Sequence, residues 1–182
     1  MTKRGFDMAA DNRTRADLLA RLEPYWKMEA GNVLILPLAI LLVSGGALSW
    51  VSLVPIAAMM AMLVIGAIYW RGKVRQIKGQ VQDWVGLLRL IARLRLPVLA
   101  LTVAGCVAAF TGWIMPDLAR GTADRWSATV SAVLAVLEYV NYYHRQLQHF
   151  DNRADFKRML AGKGFRPSWM ARDLASLGRA AD

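Results

Sequence analysis

The stretch "VLILPLAILLVSGGALSWVSLVPIAAMMAMLVIGAIYW", Val33 to Trp70, contains no charged residue. As one straight helix it would run roughly 57 Å, nearly twice a hydrocarbon core of about 30 Å. The tract therefore folds back on itself. Its middle, "SGGALSWVSLVP" (Ser44–Pro55), holds the glycines, serines and proline that suit a tight turn. This reading gives two membrane-spanning helices, residues 33–49 and 53–70, joined by a short turn around Trp50. A third covers residues 96–115, with Pro97 in its first turn and Pro116 just past its end. A fourth covers residues 126–144.

Composition points the same way. Hydrophobic residues make up 56% of the 182, too many for a small water-soluble domain. The net charge of +10 would suggest nucleic acid in a soluble protein. In a membrane protein it follows from basic cytoplasmic segments, and no nucleic-acid partner is expected. A cleaved leader at "GALS" is disfavoured, because residues 1–32 are longer and more charged than a leader's first region. The single cysteine, Cys106, allows no intramolecular disulfide.

Charge also sets the orientation. Arg71, Lys73, Arg75, Lys78, Arg89, Arg93 and Arg95 crowd residues 71–95, against Asp83 alone. Residues 1–32 and 145–182 are also basic overall, whereas the 50–52 turn is uncharged and the 116–125 loop is balanced. Four spans place all the basic segments on one side, so both termini are expected in the cytoplasm of a bacterial inner (plasma) membrane. The expected fold is a single membrane domain over residues 1–182: an all-α bundle of four transmembrane helices with cytoplasmic amphipathic helices.

Three cytoplasmic segments follow. Residues 1–32 predict an interfacial helix from about Asn12, with Leu18, Leu19 and Leu22 as its apolar stripe. Residues 71–95 predict a basic amphipathic loop helix. Gln82, Gly86, Arg89 and Arg93 share one face, and Val81, Trp84, Val85, Leu88 and Ile91 cover much of the other. Such a helix lies on anionic lipid headgroups, with Arg89, Arg93 and Trp84 as its lipid-facing residues. Residues 145–182 predict a helical hairpin. Its first helix runs to about Ala161 and "GKG" at 162–164 breaks it. Ser168 caps a second helix from Trp169, and Phe156, Leu160, Trp169, Leu174 and Leu177 are placed to pack together. A DNA-binding helix-turn-helix would need a globular core that this tail lacks.

Catalytic signatures are missing. His144 and His149 fall on different faces of a helix, and no HExxH, CxxC, phosphate-binding loop or GxSxG elbow occurs. No catalytic, cofactor-binding or metal-binding residue is assigned, and a non-enzymatic protein is expected.

The residue that stands out is Glu138. It lies in the cytoplasmic half of the fourth span, with Asn141, Tyr142 and Arg145 on the same helical face. A carboxylate at that depth costs about 2.5–3.5 kcal/mol on insertion scales, so it needs an interior partner. Arg95, Arg71 and a snorkelling Arg145 are the candidates. Two readings stand. Glu138 is either a packing clamp paired with an arginine, or a proton or cation site.

"LEYVNYYHRQLQHFD" with "DFKRMLAGKGFRPSWMARDLA" resembles the C-terminal parts of uncharacterised small integral-membrane proteins of bacteria. The resemblance covers the C-terminal quarter and implies only a bacterial membrane location. The expected function is a membrane subunit or scaffold that binds a lipid or membrane-protein partner, or a homo-oligomer. The alternative is a small oligomeric transporter or channel that uses Glu138.

Overall fold

Helix dominates the chain. The computed structural model describes residues 3–80, 83–147 and 164–179, with side chains described for 15–80, 83–147 and 164–177. Among the described residues there are five helices: α1 (Lys3–Val43), α2 (Trp50–Ile77), α3 (Trp84–Ile114), α4 (Thr122–Tyr143) and α5 (Trp169–Arg179). A short 3-10 turn, Pro116–Leu118, joins α3 to α4. No strand occurs among the described residues beyond the isolated pair Arg145–Pro167.

Three helices are long and apolar enough to cross a membrane: the Arg15–Val43 part of α1, α2 and α3. With 22 residues, α4 is about 33 Å long, but its composition is more polar. Its polar groups turn inward. Asp124, Ser127, Ser131 and Asn141 are buried, while Val130, Val133, Val136 and Leu137 are exposed.

The structure moves several expected boundaries. The first apolar run ends at Val43 rather than residue 49, and the turn lies at Ser44–Ser49 rather than around Trp50. Gly45 and Gly46 supply it with φ values of 61° and 76°, a region that side chains make costly. Helix α1 is continuous from Lys3, through Pro24 and Pro37, so no separate interfacial helix precedes the first apolar run. The expected loop helix is likewise absent as a separate element. Residues 71–77 extend α2, and residues 84–95 run unbroken through Pro97 into α3. Asp83 starts α3 by accepting a hydrogen bond from Gly86 N at 2.6 Å. The apolar face of 84–95 is spent on protein, since Leu88 and Ile91 are fully buried. The first helix of the expected tail hairpin, with Phe156, Leu160 and His149, lies outside the described residues, as do Val81 and Gln82.

Helix α2 is the central element and packs against α1, α3 and α4. Small residues let the backbones close in. A Cβ on Gly105 would stand 3.0 Å from Pro55 Cα, and Ala128, Ala132 and Ala135 line the buried face of α4. The outer face of α1 is bare, with Leu34 73% and Val43 82% exposed. Apolar surface of that extent suits lipid better than water.

One polar clasp closes the end of the bundle that carries the Ser44–Ser49 turn. Asp124 is fully buried and accepts hydrogen bonds from Ser49 N at 3.2 Å, Ser49 Oγ at 2.5 Å and Arg120 N at 2.8 Å. Burial pushes its carboxyl up, but the bonds from Ser49, Ser52 and the Arg120 backbone outweigh burial and hold it below the usual aspartate range. Because the folded value is depressed, this stabilisation is complete above the ordinary range and is lost as pH falls through it. Asp124→Ala is expected to cost about 1–3 kcal/mol, since Ser49 and the Arg120 amide lose their acceptor. The thermal midpoint in detergent should fall at neutral pH, and the gap to wild type should narrow in acid. A gap that is independent of pH would show that the ionised form is not what the clasp needs.

Candidate intramembrane carboxylate site

The opposite end of the bundle is held by charge and aromatic rings. Lys73, on the last turns of α2, is buried. Its Nζ donates to Asp173 Oδ2 of α5 at 2.8 Å, and the Tyr69 hydroxyl donates to the same oxygen at 2.7 Å. Two rings flank the ammonium, with centroids at 5.1 Å (Trp84) and 5.7 Å (Trp169). Ser168 starts α5: its Oγ accepts from Ala171 N at 3.0 Å and donates to the Tyr142 carbonyl. Met170 is fully buried, and Trp169, Leu174 and Leu177 pack on the core. Helix α5 is thus docked under α3 and α4 and tied to α2 through Asp173. On the other side, α1 is tied to the end of α2 by the Lys78–Glu23 ion pair and by Arg15, which donates to the Ile77 carbonyl.

Between these two attachments lies a cavity of about 730 Å³. Tyr25, Tyr69, Trp70, Tyr142 and Trp169 line it, together with Asn141. Trp70 meets Tyr25 and Tyr69 edge to face, each with centroids 5.1 Å apart.

Two carboxylates lie next to Tyr142 of this wall without lining the cavity themselves. Glu29 of α1 is 2% exposed. Glu138 of α4 is half-buried, and its Oε2 accepts from Asn141 Nδ2 at 3.4 Å. Both face the Tyr142 side chain, and Glu29 also faces Tyr25. Glu29 Oε2 and the Tyr142 hydroxyl are buried without a hydrogen-bond partner of regular geometry. The Tyr142 ring fits because α2 has glycine opposite: a Cβ on Gly66 would lie 2.0 Å from the hydroxyl oxygen.

The positions of the other residues singled out from sequence differ from expectation. Asn141 and Tyr142 join Glu138, and Asn141 Oδ1 also accepts from Leu147 N at 2.9 Å. No arginine does. Arg145 is exposed and donates to the Phe165 carbonyl at 3.0 Å. Arg71 is exposed and lies 5.7 Å from the Trp26 ring centroid. Arg95 is exposed and faces Tyr143. Among the described residues the ion pairs are Lys73–Asp173 and Lys78–Glu23, so the arginine clamp is corrected: Glu138 faces Asn141 and Tyr142 instead. Long basic side chains stay in water where they can, and these three have that option. Arg89 and Arg93 are exposed on the N-terminal part of α3. Trp84 is not on their face; its ring packs inward, 6.0 Å from Tyr69.

The sequence reading missed Glu29 because it counted this acid among the charges before the first span. A signal was present. Tyr25 and Glu29 are four apart, on one face of a helix that no glycine interrupts between Pro24 and Ala30. Among the described residues no cluster of three metal-ligating side chains occurs.

No protein-family model, curated protein or solved structure matches this chain.

Gly66→Ala tests the geometry of the site. The added methyl overlaps a fully buried ring, so α2 and α4 must separate, at about 1–3 kcal/mol. The thermal midpoint should fall, and it should fall less in a Tyr142→Phe background. A Gly66→Ala protein as stable as wild type would mean that Tyr142 does not pack against α2.

Proposed function

We propose that this chain is a four-span protein of the bacterial plasma membrane, with both termini cytoplasmic, and that Glu29 and Glu138 form a proton- or cation-binding site. The reading makes it a non-enzymatic carrier or channel subunit. The observation that carries it is that two acids from different helices, Glu29 (2% exposed) and half-buried Glu138, both face Tyr142, while the ion pairs among the described residues involve neither. Each carboxylate costs about 2.5–3.5 kcal/mol to insert. A proton or a bound cation offsets that cost, and a structural role alone would be served by an amide.

The fourth span is α4. Its polar composition is the composition of a helix whose polar face is covered by neighbouring helices. Its exposed stripe, Val130, Val133 and Leu137 at i, i+3 and i+7, supplies the face for lipid. Four spans also put the basic ends of α2 and α3 and both termini on one side.

A second reading is supported by Arg89, Arg93 and Arg95, which leave an exposed basic strip on the cytoplasmic extension of α3. That strip suits anionic lipid headgroups or an acidic partner protein, so a scaffold or membrane-subunit role goes with it.

Two measurements separate these readings. Reporter fusions after Arg75, after Asp117 and at the C-terminus should read inside, outside and inside; an outside signal at Arg75 would end the four-span arrangement. In proteoliposomes, Glu29→Gln and Glu138→Gln should each abolish pH-driven cation flux while keeping the thermal midpoint close to wild type, because an amide hydrogen-bonds but does not titrate. Flux that survives both substitutions would take the two acids out of the transport path, and wild-type protein that carries no flux would move the protein to the scaffold class.

A further inference from the structure

We propose that the cavity between α1, α5 and the ends of α2 and α4 binds an anionic phospholipid: its phosphate sits at Arg21, one acyl chain enters the cavity and the other lies along α1. The proposal rests on the membrane placement given above and is independent of the two acids.

The lining sets the class of ligand. Leu18, Leu22, Tyr25, Trp70, Trp169 and Met170 give the cavity a largely apolar and aromatic wall. A space of about 730 Å³ with such a wall gains more from an alkyl chain than from water. Its polar groups are few, and most are spent within the fold. Asn141 bonds to Glu138 and Leu147 N, the Ser168 hydroxyl to Ala171 N and the Tyr142 carbonyl, and the Tyr69 hydroxyl to Asp173. Among the described residues no carboxylate lines the cavity, and Arg21 is the one charged residue that does. A cation would find no counter-charge there, whereas an anion finds a guanidinium. Arg21 is exposed, and among the described residues it has no ion pair and no hydrogen bond. Its planar fork of donors matches phosphate oxygens.

The course of α1 fits the length of such a ligand. Arg21, Tyr25 and Met28 share one helical face, at i, i+4 and i+7. From Arg21 to Met28 the helix rises about 10 Å, which carries the face from a cationic rim to apolar depth. Beyond Met28 the exposed apolar residues Ile35 and Leu42 follow at intervals of seven, so the stripe continues on the same side of α1. A head at Arg21 thus has apolar surface for both chains, one within the cavity and one on this stripe. Trp26 and Arg71, with 5.7 Å from guanidinium to ring centroid, are a ring and a cation of the kind found at the membrane interface. Arg71 and Arg75 at the end of α2, and Arg145 just past α4, are exposed at the same end and favour a head of net negative charge over a zwitterion.

The test uses the full-length protein purified in dodecyl maltoside. The probes are dioleoylphosphatidylglycerol, dioleoylphosphatidylcholine and oleate, read by native mass spectrometry and by the thermal midpoint. One copy of phosphatidylglycerol should bind saturably, at least about fivefold more tightly than phosphatidylcholine, and should raise the midpoint. Arg21→Gln should weaken that binding about tenfold and leave the lipid-free midpoint at the wild-type value, because Arg21 holds nothing in the fold. Leu22→Trp, which fills the cavity, should weaken both phospholipids. A double variant, Arg89→Gln with Arg93→Gln, should bind phosphatidylglycerol as wild type does. Equal binding of the two phospholipids, unchanged binding in Arg21→Gln, or loss of binding in the Arg89 and Arg93 variant would each overturn the proposal. Oleate bound as tightly as phosphatidylglycerol would also overturn it, since the occupant would then be a free fatty acid. If Leu22→Trp fails to fold, Arg21→Gln and the three probes still decide. Ion flux plays no part in these readouts, so failure of this site and failure of the acid reading are told apart.

Discussion

A carboxylate removed from water must be neutralised, paired or solvated, and a membrane-embedded bundle offers few ways to do any of these. This molecule carries two such groups on different helices, Glu29 on α1 and Glu138 on α4, and brings both to the Tyr142 side chain. Much of the inner half of the structure is arranged around that meeting. Gly66 leaves room for Tyr142, Asn141 bonds to Glu138, and Tyr25 joins Glu29 to the aromatic wall of the cavity. A cationic side chain would have quenched the site. The arginines nearest in sequence stay exposed, and the buried cation Lys73 is occupied by Asp173.

The two ends of the bundle are built differently. At the Ser44–Ser49 end, Asp124 ties the turn between α1 and α2 to the start of α4 and leaves no exposed polar surface of its own. At the other end, α5 is docked by a buried ion pair and the N-cap at Ser168, and a cavity remains between it, α1 and the ends of α2 and α4. One end is closed by short hydrogen bonds and the other is open.

Much of the architecture was legible in the sequence because membrane spans leave a strong signal. The uncharged Val33–Trp70 tract had to fold back, and it does so at Ser44–Ser49, where Gly45 and Gly46 take positive φ. Helix ends were less legible. Trp84 to Arg95 has an amphipathic pattern that fits either a surface helix or the buried end of a span. Packing of Leu88 and Ile91 against the core decided for the latter, a tertiary effect that local periodicity does not encode. Half of the candidate site was visible, because Glu138 lies in plainly apolar surroundings. Glu29 was hidden by its place next to the charged N-terminal segment. Its burial depends on α1 continuing as one helix through Pro24, which a proline-based reading of helix boundaries argues against.

The central claim is that Glu29 and Glu138 converge inside the bundle. The most direct measurement is a double-cysteine cross-link, with Cys106→Ser as background and cysteine at positions 29 and 138. A short bis-methanethiosulfonate reagent applied in native membranes should join the two positions within one chain in high yield, with little product when the second cysteine is moved to the exposed position 133. Absence of the 29–138 cross-link, with both thiols shown to be reactive, would mean that α1 does not deliver Glu29 to α4, and the carboxylate-pair account would fail.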